Sequence, residues 1–122
     1  MTPAELAAAL RALLGDLLGT HKTASGTTVG PACRVGDPPP DWTAEGLEVI
    51  VEREPDQSNR PLQGGEHNLA ETLTVRLTAH GSGSPAAAVR RIVRRYPDAS
   101  VTRVPANERL GILEARIIRI PR

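Results

Sequence analysis

The sequence predicts an α+β domain: a mostly antiparallel sheet with two helices packed on one face and a long extended hairpin arm. Three observations carry this. Segments 3–18 and 85–96 repeat apolar residues at helical spacing, each behind a hydroxyl cap and a proline. Segments 46–53, 69–80, 99–104 and 111–120 read as strands. Between the first two strands lies EPDQSNRPLQGGEHN, residues 54–68, in which Leu62 is the sole strongly apolar side chain. Two to five residues would close such a hairpin.

The first helix starts at Thr2-Pro3-Ala4-Glu5, where the threonine caps, the proline occupies the first helical position and the glutamate completes a capping box. Leu6, Leu10, Leu13, Leu14, Leu17 and Leu18 form its apolar stripe, and Gly19 follows as a stop. Residues 20–42 are rich in Gly, Ser, Thr and Pro, with short strands expected at 27–29 and 32–35. Pro38-Pro39-Pro40 stiffens the connection towards Trp42.

In 46–53, Leu47, Val49 and Val51 share one face and Glu48, Ile50 and Glu52 the other. In 69–80, Leu69, Leu73, Val75, Leu77 and Ala79 oppose Thr72, Thr74, Arg76 and Thr78. Ser84-Pro85 opens the second helix, whose stripe is Val89, Ile92, Val93 and Tyr96; Arg90, Arg91, Arg94 and Arg95 lie opposite, and Pro97 ends it. The last strand is apolar on both sides: Leu113, Ala115 and Ile117 on one, Ile112, Ile118 and Ile120 on the other. Two apolar faces in a small one-sheet domain imply that one of them meets something else.

A chain of 122 residues is read as one domain, 1–122, with one modest core. Trp42, Tyr96 and no Phe leave little for base stacking or an aromatic cage, so those binding modes are set aside. The first helix carries Glu5, Arg11 and Asp16 and lacks a basic leader, so neither a signal peptide nor a membrane contact is expected. Charge is divided unevenly. Residues 1–84 hold six Arg/Lys and eleven Asp/Glu, net −5, whereas residues 85–122 hold nine Arg and three Asp/Glu, net +6.

The search for chemistry returns little. His21, His67 and His80 show no ligand spacing, and His80 reads as a surface residue at a strand end. Glu66 and His67 are adjacent on an extended segment and point apart. The lone Cys33 forms neither an intramolecular disulfide nor a zinc site by itself. Gly81-Ser82-Gly83-Ser84 precedes a helix but lacks the lysine of a phosphate loop, and reads as a turn and cap. No nucleophile elbow or dinucleotide fingerprint occurs. The expectation is a non-enzyme without catalytic residues, metal or cofactor. The arginine helix leaves three readings open: a solvated face, a weak phosphate contact, or a docking surface for the acidic part of a neighbouring copy.

Taken together, AELAAALRALLGDLLGT, GLEVIVEREP, the polar arm, ETLTVRLTAHG, SPAAAVRRIVRRYPDA and ILEARIIRIP follow one another in an order that resembles the tail terminator (tail completion) proteins of long-tailed bacteriophages and phage-like particles. The resemblance spans nearly the whole chain and rests on element order. It implies a structural virion protein, a homohexameric ring on the head-proximal end of the tail. Such a ring ends polymerisation of the tail tube protein and joins the tail to the head completion or connector protein. DNA would be passing cargo, and the host cytoplasm the place of assembly. The arm 54–68 and the sheet edges are then expected to make ring or tube contacts. Within that picture Glu48, Glu52, Glu54 and Asp56 would face Arg90, Arg91, Arg94 and Arg95 of a neighbour. Arg60 and Glu66 would add polar contacts from the arm, and Ile112, Ile118 and Ile120 an apolar one. The alternatives are another neck component or a small basic-helix nucleic-acid-binding domain.

Overall fold

A computed structural model describes residues 2–53, 72–104 and 112–121. It shows two helices and a mostly antiparallel sheet, the expected α+β class. Helix α1 spans Pro3–Leu14 and α2 spans Pro85–Arg95. The strands are β1 (Thr20–Lys22), β2 (Thr28–Pro31), β3 (Cys33–Val35), β4 (Thr43–Arg53), β5 (Thr72–His80), β6 (Ser100–Val104) and β7 (Ile112–Pro121). Their order in the sheet is β2-β1-β4-β5-β7-β6, and β3 pairs with β4 in parallel beside β1. The arm 54–68 lies outside the described residues.

Helix α1 begins as its sequence dictates. The Glu5 N–H donates to Thr2 Oγ1 at 3.1 Å and the Thr2 N–H to Glu5 Oε1 at 3.2 Å, so two otherwise orphaned donors are satisfied. The helix ends at Leu14, four residues earlier than the leucine stripe suggests. Gly15 is a weak helix former, and the chain turns there, with Leu17 and Leu18 both donating to the Leu14 carbonyl. Leu18 then bridges to Leu47 of β4. Gly19 is less a helix stop than a point of close approach. A Cβ there would lie 1.8 Å from the Glu45 carbonyl oxygen, which only glycine avoids.

Strand β4 is longer than its alternating core because β1 pairs with its first residues, Thr20 opposite Glu45 and Lys22 opposite Thr43. Along β4 and β5, Val49 faces Leu77 and Val51 faces Val75; along β5 and β7, Leu73 faces Ile120 and Val75 faces Ile118. These side chains, with Leu47, form one buried layer against Leu6, Leu10 and Leu14 of α1 and Ala88 and Ile92 of α2. Both helices therefore cover the same face. Each fully buried leucine stabilises this layer by roughly 1.5–3 kcal/mol.

The opposite face is not bare. Ile50, Thr78 and Ala115 are buried there as well. Arg34 of β3 pairs in register with Ile50, and its guanidinium stacks 5.4 Å from the centre of the Trp42 ring. Across the sheet, Arg76 of β5, also a register partner of Ile50, donates to Asp37. The segment between β3 and β4, with its three prolines, thus crosses this face of β4 and shields Ile50.

Candidate interaction surfaces

The crossing segment, β1, β4 and β5 converge on Glu48. His21 of β1 donates from Nε2 to Glu48 Oε2 at 2.6 Å, and His80 of β5 donates from Nε2 to Oε1 at 3.1 Å. The carboxylate therefore ties three strands together. His21 is 2 % exposed and the Glu48 side chain 14 %. Trp42 lies against His21, ring centres 5.9 Å apart. For an ionised carboxylate to accept from both rings, each imidazole must carry a proton on Nε2. Each ring engages a different oxygen, and among the described residues no group of three or more His, Cys, Asp or Glu side chains could hold a metal ion.

This cluster corrects two expectations. Glu48 is an internal bridge rather than a contact for a neighbour, and His80 is a partner of that bridge rather than a plain surface residue. Glu52 also has an internal neighbour, Arg76 Nη2 at 3.5 Å. Glu54, Asp56, Arg60 and Glu66 lie outside the described residues.

The four helix arginines divide in two. Arg91 reaches across to α1 and forks onto Asp16, Nη1 to Oδ1 at 2.5 Å and Nη2 to Oδ2 at 3.0 Å, while Nη1 also donates to the Leu13 carbonyl at 3.2 Å. It pins the end of α1 to α2. The Arg91 hydrogen bond holds the Asp16 carboxyl below its ordinary range, and Asp16 in turn raises Arg91. Arg90, Arg94 and Arg95 stay exposed, with Arg95 lying 4.9 Å over the Tyr96 ring. These three present positive charge to solvent.

The apolar contact expected of the last strand is overturned for Ile118 and Ile120. Ile118 and Ile120 are 0 % and 2 % exposed, because their pairing with Val75 and Leu73 turns them towards the helices. The other face of β7 carries Ala115, Ile117 and Arg119. Ile112 pairs with His80 across a register shift at the start of β7.

Large hydrophobic side chains that remain exposed among the described residues are Val29, Val35 and Val101, at 47 %, 41 % and 41 %. They sit on β2, β3 and β6, the strands at the rims of the sheet. An open cleft of about 530 Å³ also lies between Leu17–Gly19, Glu45–Leu47 and the His80–Gly83 turn. Its lining includes Ser82 and His80, and the His80 Nε2 is engaged by Glu48. Cys33, the one thiol, is buried, donates to the Ala7 carbonyl at 3.5 Å, and has its pKa pushed by burial to about 11. None of the described helices is long and apolar enough to cross a membrane. Comparison of the chain with protein-family models, curated proteins and solved structures finds no match.

Proposed function

We propose that this chain is a structural subunit that assembles with copies of itself into a closed ring, and that the ring acts as the tail terminator of a phage-like particle. The observation that supports this reading is the opposite net charge of the two halves of the sheet with their helices. Residues 2–53 build α1 and the β2-β1-β3-β4 side, with four Arg/Lys against seven Asp/Glu, net −3. Residues 72–104 and 112–121 build α2 and the β5-β7-β6 side, with eight Arg against two Asp/Glu, net +6. Unlike ends of opposite sign attract head to tail and repel head to head. A head-to-tail contact that closes produces a ring.

The charges available to such a contact are fewer than the sequence alone suggests. Glu48, Glu52 and Arg91 are engaged within the subunit, which leaves Arg90, Arg94 and Arg95 as the exposed cations of α2. Those same three arginines favour a second reading, a helix that contacts nucleic-acid phosphates.

Co-production with the tail tube protein of the same genome tests both. A terminator gives tubes of limited length with a ring at one end in electron micrographs. Uncapped tubes of unrestricted length would refute it. The second reading instead requires DNA retention that falls steeply with salt and is lost when Arg90, Arg94 and Arg95 become alanine.

A further inference from the structure

We propose that neighbouring copies join by strand pairing, the free edge of β6 in one copy adding to the free edge of β2 in the next, so that the sheet runs on across the subunit boundary. This rests on the self-assembly reading and names the surfaces it uses.

Three observations on the structure converge. First, the sheet path begins at β2 and ends at β6, so among the described residues each is paired on one side only. An unpaired edge presents a row of backbone donors and acceptors to any strand that fits. Second, both edges carry an exposed valine, Val29 on β2 and Val101 on β6, and Ser100 to Arg103 are exposed in turn. Third, β6 belongs to the half of the sheet with net positive charge and carries Arg103, whereas β2 is itself uncharged and belongs to the half with net negative charge.

The edge of β3 is obstructed at one rung. The outward carbonyl of Cys33 on β3 is capped by Arg11 Nε at 3.0 Å, which blocks that rung. Strand β2 ends at Pro31, and its register with β1 skips Val29, so its pairing length is short. Pairing of β6 with another β6 would bring two positive ends together. The contact is therefore head to tail. It is also short, so it forms weakly between free subunits and strengthens when many are held in a ring.

Cysteine trapping tests this. Cys33 is buried with its thiol pKa raised, so at neutral pH it stays out of the reaction. Val29→Cys and Val101→Cys are made singly and together, with Val101→Cys plus Ala9→Cys as a control pair on an exposed site of α1. Circular dichroism verifies that each variant keeps the wild-type spectrum. Under mild oxidation the V29C/V101C protein should form a covalent ladder at least about tenfold above the control, equivalent to about 1.4 kcal/mol of preference. The two single variants should cross-link when mixed and not alone, and the yield should fall between 50 mM and 1 M salt.

Cross-linking of V101C alone to the same extent would overturn the head-to-tail pairing, and so would a ladder no stronger than the control. Electron microscopy of the trapped species separates this inference from the functional reading. Open filaments would uphold the strand pairing and refute the ring. Closed rings that leave tube length unchanged would uphold the pairing and refute the terminator.

Discussion

Replacing Glu48 by leucine removes the one acceptor shared by two imidazoles. His21 is 2 % exposed, so its Nε2–H loses a partner that water cannot readily replace. A buried donor left unpaired costs about 1–3 kcal/mol. His80, with its side chain 26 % exposed, can turn to solvent and adds little. The expected loss is therefore about 2 kcal/mol, or about 8 °C in Tm for a domain of this size. Glu48→Gln keeps one acceptor oxygen and should fall between wild type and leucine.

Urea unfolding followed by Trp42 fluorescence reads this directly, because Trp42 is the single tryptophan and lies against His21. A double-mutant cycle with His21→Phe isolates the pair. Once His21 is gone, Glu48→Leu should cost at least about 1 kcal/mol less than it does in the wild-type background. If the two substitutions were additive within about 0.5 kcal/mol, the bridge would contribute nothing and Glu48 would again be a candidate for contact with a neighbour.

Adjacent residues of β7 should respond unequally: Ile118→Ala, in the core, should cost about 2–5 kcal/mol by chemical denaturation, and Ile117→Ala on the other face less than about 1.5. Cys33 ionises in the unfolded chain near its ordinary value but only near 11 in the native state, so its stabilising effect is intact below pH 9 and fades as pH rises to 11. Wild type should lose about 2–3 kcal/mol more than Cys33→Ala across that window, and parallel stability curves would contradict this. Asp16 should titrate below the usual aspartate range in an NMR pH series and return to it in Arg91→Ala; an unchanged midpoint would mean that the fork does not persist in solution.

Both helices were legible because their starts are written in short, stereochemically specific signals, Thr2-Pro3-Ala4-Glu5 and Ser84-Pro85. Strands β4 and β5 were legible because one face is buried and the other is not, which leaves a period of two. The end of α1 was misread for an understandable reason. Leu17 and Leu18 continue the leucine spacing, yet they pack from a turn after Gly15 rather than from a helix. Strand β1, Thr-His-Lys, has no apolar alternation; it exists because β4 offers an edge, and nothing local announces it.

The two harder failures share a cause. Which face of β7 meets the helices depends on its pairing with β5, and isoleucines on both sides leave the sequence indifferent between the two. Likewise Glu48 and His80 become neighbours only when the β4–β5 register is known, with Gly46 opposite His80 and Glu48 opposite Thr78. The long arm hides that register, because it is the turn that normally sets it. Alternation already put Glu48 on the face away from the core; His21 could not be found without β1.

The charge asymmetry, by contrast, gains meaning from the topology. A division between the halves of a sequence does not ordinarily survive folding, since strands from both halves can interleave. Here they do not. The first half lays down β2, β1, β3 and β4, the second lays down β5, β7 and β6, and within the sheet the two meet along the β4–β5 seam. Each helix follows its own half, α1 over β3 and β4 and α2 over β5 and β7. A difference along the chain is thereby converted into a difference across the molecule, from a net negative half that ends at β2 to a net positive half that ends at β6. Reversing charge on the exposed β6 rim through Arg103→Glu should therefore weaken V29C/V101C trapping at low salt and leave the folded monomer's stability within about 0.5 kcal/mol of wild type. A variant that trapped as well as its parent at low salt would show that the backbone edges and valines, rather than the polarity of the sheet, select the partner.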